Sequence, residues 1–148
     1  MISIGGENLI DLVSGAAAAD GLPQYVANPG GSPFNVAMAS GRQGQKVAYL
    51  TPVSEDALGA LLAERLVESK VTLAAGRVPH PTSLAVVSIT DGIPSYAFHR
   101  NGTAERQVTK QALHNDMPAE TKLFHVGSLG LIDGCLLYTS DAADEVSW

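Results

Sequence analysis

The sequence has a single cysteine in 148 residues. One cysteine excludes an internal disulfide framework and a metal site made of four thiolates. Its four histidines stand far apart and form no His-x-x-x-His pair, so their spacing gives no indication of a zinc site. Disulfide-stapled domains and zinc proteins are therefore the first classes to be set aside.

Positive charge is also scarce. Nine Lys and Arg residues stand against 15 Asp and Glu residues, for a formal net charge of -6. Proteins that neutralise nucleic-acid phosphates show the opposite balance. No apolar run approaches the ~20 residues that span a bilayer. A secretory signal requires basic residues before its apolar stretch, and none precedes the first apolar stretch here. We expect a cytoplasmic protein with neither membrane nor nucleic-acid partners.

What the chain does contain is typical of an α/β protein. It is 45% hydrophobic and holds 15 glycines, which suits a packed core with tight turns. Apolar runs predict strands, and two segments with three- and four-residue spacing predict helices beginning near 33 and 55. The order is strand, helix, strand, helix and then a hairpin, which predicts a mainly parallel sheet with an antiparallel annex. Glu105 and Arg106 are interpreted as the solvated start of a short helix.

The segment NPGGSPFN is the strongest turn signal. Gly30 and Gly31 let a ligand approach the backbone closely. Ser32 is the predicted N-cap, with Pro33 at the first helical position, so free N–H groups would face that ligand. Asn35 adds an amide that both donates and accepts. This set suits a polyhydroxylated ligand, and it is neither a P-loop nor a dinucleotide fingerprint. An ordinary strand-to-helix turn is the alternative.

Asp11 stands inside an apolar run at the predicted end of a strand. A carboxylate among apolar neighbours is unfavourable unless it is hydrogen-bonded, and two sugar hydroxyls would satisfy it. Ligands of open parallel sheets sit at the carboxyl ends of the strands, where Asp11 and the glycine pair can meet. The alternative is a turn aspartate that reaches solvent.

Two stretches carry a known pattern, GENLIDLV and PGGSPFNVAMASGRQGQKVAYLTPVSEDALG. They resemble the N-terminal half of the PfkB (ribokinase-like) family of sugar kinases, and the resemblance covers about residues 1–134. Within that family, PTSLAVVSITDGIPSYAFHRNGTAER and FHVGSLGLI look most like bacterial fructokinases. The resemblance implies a three-layer α/β/α sandwich with a mainly parallel sheet. It also implies a small β-sheet lid, with strands around 12–27 and 82–99, that closes over the sugar and often joins two copies in a homodimer.

The resemblance also implies a site and a reaction, the ATP-dependent phosphorylation of a small-molecule sugar such as fructose. Alternatives are a 2-keto-3-deoxygluconate kinase, whose acidic sugar is contacted at the position of Arg100, a nucleoside kinase, and a non-catalytic sugar-binding half-domain. Phe98 would supply an apolar wall. The implied substrate-binding residues are Asp11, Gly30, Gly31, Asn35, Phe98 and Arg100.

The family's second half does not appear before Trp148. That half carries a Gly-Ala-Gly-Asp motif with the general base, the ATP site and the metal-linked residues. We therefore expect residues 1–134 to be the N-terminal part of such a kinase, with no catalytic, cofactor-binding or metal-binding residue of its own. ATP, Mg²⁺ and possible monovalent-cation sites would belong to the longer enzyme, and this chain alone would not turn over sugar.

The last segment departs from the family pattern. CLLYTSDAADE, at 135–145, resembles a translated sequencing-adapter read-through. We interpret 135–148 as a non-native tail and assign Cys135 no chemistry, the alternative being an ordinary acidic C-terminus.

Overall fold

A computed structural model describes residues 1–90 and 93–132, so the predicted tail at 135–148 lies outside the described residues. The elements follow one another as β1 (Ile2–Gly5), β2 (Leu9–Ser14), β3 (Tyr25–Gly30), α1 (Ser32–Arg42), β4 (Val47–Tyr49), β5 (Val53–Ser54), α2 (Ala57–Glu68), β6 (Val71–Leu73), β7 (Arg77–Val78), β8 (Ser83–Thr90), β9 (Ile93–His99), a 3-10 helix (Ala104–Arg106), α3 (Lys110–Asp116), β10 (Leu123–Val126) and α4 (Leu129–Ile132). None of these helices is long and apolar enough to cross a bilayer.

The main sheet has the strand order β10-β1-β4-β6, and every pairing in it is parallel. Successive side chains of a strand point to opposite faces, so the two faces have separate cores. One core joins Ile4 and Tyr49 to side chains of α1 and α2. The other joins Phe124 and Val126 to Leu113 of α3. Helices therefore cover both faces, as in the three-layer sandwich expected from the sequence.

A second sheet has the order β3-β2-β8-β9, and we call it the lid sheet. Its inner strands β2 and β8 are parallel, while β3 and β9 pair antiparallel on the outside. The first two strands lie at Leu9–Ser14 and Tyr25–Gly30, so β2 begins before residue 12 and β3 continues past 27. Strands β5 and β7 form a separate two-stranded parallel sheet. The chain enters the lid sheet at β2 and at β8 and leaves it after β3 and after β9.

Helix α1 begins differently from the sequence prediction. Its N-cap is Gly31, with φ 107° and ψ 127°, and no side chain of the helix caps it. Prediction of Ser32 as the N-cap is wrong because only glycine readily adopts this φ, and because the Ser32 N–H is bound from another segment. Glu7 Oε1 accepts that hydrogen bond at 3.0 Å.

Candidate functional site

The site is built where the lid sheet meets helix α1. In the pairing of β2 with β3, Leu9 lies opposite Gly30 and Asp11 lies opposite Asn28. A Cβ placed on Gly30 would overlap the Oδ2 atom of Asp11. The structure therefore brings Asp11 directly against the first glycine of the turn, because the carboxylate occupies the space that a side chain at residue 30 would fill.

Asp11 is half-buried at this position. Burial raises the pKa of Asp11 above its ordinary value, since a low-polarity environment disfavours the charged form. A carboxylate in such a place gains most from donors supplied by a ligand, and two hydroxyls of a polyol are donors of that kind.

Gly31 and Asn35 follow on the same turn. A Cβ on Gly31 would overlap the carbonyl oxygen of Glu7, so this position requires glycine for space as well as for its φ. The Asn35 N–H donates to the Gly31 carbonyl at 2.9 Å, which places Asn35 one helical turn on. Its side chain is exposed, and its amide is therefore available to a ligand seated on the glycine turn.

Phe98 shares a row of side chains with Asp11. Asn28, Asp11, Ala85 and Phe98 are in register across all four strands of the lid sheet, so their side chains project from one face. Phe98 is 48% exposed and stacks on Tyr96, with ring centroids 6.0 Å apart. The row thus places an apolar wall two strands from the carboxylate.

Arg100 is buried at the end of β9. Its Nε lies 2.8 Å from Glu105 Oε1 and its Nη2 lies 3.2 Å from Glu105 Oε2. Arg100 and Phe98 line one open cavity of about 370 Å³, whose lining includes neither Asp11 nor Gly30. The six implied residues therefore fall into two neighbouring groups. One lies around the glycine turn, and the other lies around the hairpin of β8 and β9, which we call the lid hairpin.

Two acidic residues belong to this region although the sequence did not point to them. Glu7 is 2% exposed and Glu105 is 5% exposed. The interpretation of Glu105 as a solvated helix start is wrong, because the 3-10 helix packs it against Arg100 and Ser83. The only sequence signal was an arginine and a glutamate five residues apart around an Asn-Gly turn.

Tyr49 of the main sheet lies near these acids and bonds the turn that leads to β2. Its hydroxyl donates to the Gly6 carbonyl at 2.8 Å. Burial, reinforced by the charges of Glu7 and Glu105, raises the pKa of Tyr49 well above its ordinary value. The phenol therefore stays protonated and serves as a donor that holds the link between β1 and β2.

The described residues contain no group of three or more His, Cys, Asp or Glu side chains that could hold a metal ion. The site as built has one part-buried carboxylate, an exposed amide and a glycine turn, which is chemistry for binding hydroxyl groups.

Comparison with known protein families gives one match, described as pfkB family carbohydrate kinase, over residues 6–144. That range reaches into the segment 135–148, whose origin stays a prediction. A fructokinase of Rhizobium leguminosarum bv. trifolii is 34% identical over 133 residues, which make up 89% of this chain and 40% of that relative. The chain thus spans about two fifths of this curated relative's length.

Solved structures give the same likeness. A fructokinase of Xylella fastidiosa with bound ATP superposes with a TM-score of 0.75 and 26% identity, over 84% of this chain and 41% of that one. An uncharacterised sugar kinase of Pyrococcus horikoshii in complex with ATP gives a TM-score of 0.79 and 27% identity, over 94% of this chain and 47% of that one.

Proposed function

Because the chain belongs to the pfkB family of carbohydrate kinases, as the match over residues 6–144 shows, we propose that it supplies the sugar-binding part of a kinase that transfers phosphate from ATP to a hydroxyl of fructose. Its fold is the ribokinase-like α/β fold expected from the sequence. Residues that approach the sugar in this proposal are Asp11, Gly30, Gly31, Asn35 and, from the lid hairpin, Phe98.

The observation that carries this proposal is the placement of the Asp11 carboxylate against Gly30. A carboxylate held beside the glycine turn gives the hydroxyls of a sugar an acceptor. The exposed amide of Asn35 one turn away supplies both a donor and an acceptor. Positioning of this kind is the acceptor's share of phosphoryl transfer.

Fructose is preferred over 2-keto-3-deoxygluconate for a specific reason. The acidic sugar needs a cation, and the candidate cation Arg100 is already held by Glu105 in a buried ion pair. Relatives named fructokinase favour the same choice. Arg100 accordingly supports the lid hairpin in this proposal rather than binding a substrate carboxylate.

We infer that ATP and Mg²⁺ serve the reaction through residues outside those described, and that the chain alone does not release ADP in the presence of fructose. The lid sheet is proposed to join two copies in a homodimer, and the location is proposed to be cytoplasmic. A fructose-dependent release of ADP by the 148-residue chain would contradict the inference that this chain alone is inactive.

The proposed sugar site is tested by titrating the ¹⁵N-labelled chain with D-fructose and following the amide signals by NMR. Shifts centred on the glycine turn are expected, and Asp11→Asn is expected to weaken binding by roughly tenfold, as loss of a charged hydrogen-bond acceptor predicts. Because burial raises the pKa of Asp11, binding should weaken on acidification already above pH ~3.9, the ordinary aspartate value.

The matched control is Asp20→Asn. Asp20 lies in the exposed loop between β2 and β3 and accepts a hydrogen bond from Leu22 N–H through Oδ1, which an asparagine oxygen preserves. Equal affinity of D11N and D20N for fructose would refute the assignment of Asp11 to the sugar.

A further inference from the structure

Two positive features border the proposed sugar site, the N-terminus of α1 and the guanidinium of Arg100. Each is bound from inside the protein by a buried carboxylate. We propose that Glu7 and Glu105 make this site selective for an uncharged sugar, because they neutralise both features that would otherwise attract an acidic one. This inference rests on the proposed function and names residues that decide its substrate class.

The pairing around Arg100 is the more extensive of the two. The two carboxylate oxygens of Glu105 accept hydrogen bonds from Nε and Nη2 of the guanidinium, at 2.8 and 3.2 Å. Ser83 Oγ lies within hydrogen-bond distance of Glu105 Oε1, at 2.9 Å, and of Thr103 Oγ1, at 2.8 Å. Thr103 in turn donates to the Arg100 carbonyl at 2.8 Å. The carboxylate thus lies between the guanidinium and Ser83 of β8, and Ser83 also contacts the turn that follows β9.

The second pairing acts on helix α1. An eleven-residue helix carries a partial positive charge at its N-terminus. Glu7 Oε1 accepts the Ser32 N–H there, and Glu7 is 2% exposed. Its other oxygen, Oε2, is buried with no hydrogen-bond partner in the described part of the chain, so the hydrogen bond that the Glu7 side chain accepts there is the one from the first turn of α1.

The pairing around Arg100 lies close to Asp11. Ser83, which touches Glu105, is in register with Leu9, two residues before Asp11. Strand geometry puts the Cα atoms of Ser83 and Asp11 about 8 Å apart. Charges at such distances interact appreciably when they are shielded from water. An anionic sugar bound to Asp11 would therefore meet carboxylates whose nearest cation is already paired.

Glu7 and Glu105 act through Ser32 and Arg100 without touching the sugar, so they are positioning residues. Their effect should appear in selectivity. The probes are D-fructose and D-gluconate, a neutral and an anionic polyol of similar size, titrated against the ¹⁵N-labelled 148-residue chain. The unmutated chain is expected to bind fructose and to bind gluconate far more weakly.

Glu105→Gln leaves a side chain of the same shape and removes its charge. It is expected to lower the ratio of the gluconate Kd to the fructose Kd by about tenfold, since Arg100 then loses the compensating charge of Glu105. The double variant Arg100→Gln with Glu105→Gln removes both charges and should restore the original ratio. Glu64→Gln, at an exposed position of α2, is the control for net charge and should change nothing.

Glu7→Gln is an independent test in case Glu105→Gln does not fold. The dispersion of the amide signals shows whether each variant is folded. Glu7→Gln should lower the ratio in the same direction and shift the Ser32 amide signal. If E105Q and E7Q both bind fructose with an unchanged ratio of the gluconate Kd to the fructose Kd, this inference is overturned and the proposed function stands. A chain that binds no fructose at all would remove the proposed function, and this inference with it.

Discussion

Gly30 illustrates how one missing side chain can define a binding site. The space that a Cβ of residue 30 would fill is taken by Asp11 Oδ2, and the Leu9 side chain also lies close to it. Gly30 lies on β3 opposite Leu9, two residues before Asp11 on β2. Because residue 30 has no Cβ, the Asp11 carboxylate can lie against the β3 backbone there. The chemical role assigned to Asp11 therefore depends on residue 30 as much as on residue 11.

Gly30→Ala should displace the Asp11 carboxylate and weaken fructose binding by at least tenfold, while lowering the free energy of unfolding by about 1–3 kcal/mol through overpacking. NMR titration and urea unfolding measure the two effects. Gly15→Ala is the control, since a Cβ there meets only ordinary contacts at 3.7 and 3.9 Å. If G30A and G15A bind fructose equally, the contact between Asp11 and the Gly30 backbone does not contribute to fructose binding.

At the scale of elements, helix α2 and strand β8 share one carboxylate. Asp56 caps α2 by accepting the Gly59 N–H at 2.7 Å. It also accepts the Thr82 N–H at 2.8 Å and the Thr82 hydroxyl at 2.6 Å. Burial tends to raise the pKa of Asp56, but these hydrogen bonds outweigh it and lower the pKa to about 2. One side chain thus fastens the entry of the lid hairpin to the main sheet's helices.

Asp56→Ala should lower the free energy of unfolding near pH ~7 by about 1–2 kcal/mol, the usual effect of losing an N-cap. The residue is exposed, so solvent screening keeps the electrostatic share small. A depressed pKa contributes stability above the unfolded value of ~3.9 that disappears as the pH falls toward about 2. The difference between the two chains in urea unfolding should therefore shrink over that range.

Glu55→Gln is the matched control for this experiment. It removes the same charge one residue earlier, at an exposed position, and should leave the unfolding free energy nearly unchanged. A D56A chain that is as stable as E55Q would show that the lid hairpin does not depend on this cap.

At the scale of the whole molecule, the described strands of the lid sheet carry several large exposed apolar side chains. Val26 is 58% exposed and Tyr96 is 55% exposed, and they lie in one cross-strand row with Val13 and Val87. Apolar residues side by side on a sheet face favour association with another protein surface. A second copy of this chain is the occupant in the proposed homodimer.

The double variant Val26→Ser with Tyr96→Ser should weaken self-association by tenfold or more, because each large apolar side chain buried at an interface contributes roughly 1.5–3 kcal/mol. Sedimentation velocity over a range of concentrations measures it. Leu123→Ser, at a 55% exposed position on β10 of the main sheet, is the control. A monomer at every concentration in the unmutated chain would exclude the homodimer.

The sequence by itself determined the two long helices, the β8-β9 hairpin and the glycine turn, and it singled out Asp11 as a candidate. Those features depend on local patterns, such as apolar spacing, adjacent glycines and a carboxylate in an apolar run, and all of them can be recognised within a few residues. Family motifs extended the prediction to the lid sheet and to the substrate that we propose.

Only the tertiary structure decided which charges are compensated. Glu7 and Ser32 are 25 residues apart, and Ser83 and Glu105 are 22 apart, so no local pattern reveals either contact. The N-cap of α1 and the burial of Glu105 were misjudged for the same reason. A side chain's burial and its hydrogen-bond partners depend on segments that meet only when the sheets pack, and those contacts decide whether Arg100 is open to a substrate or held by the protein itself.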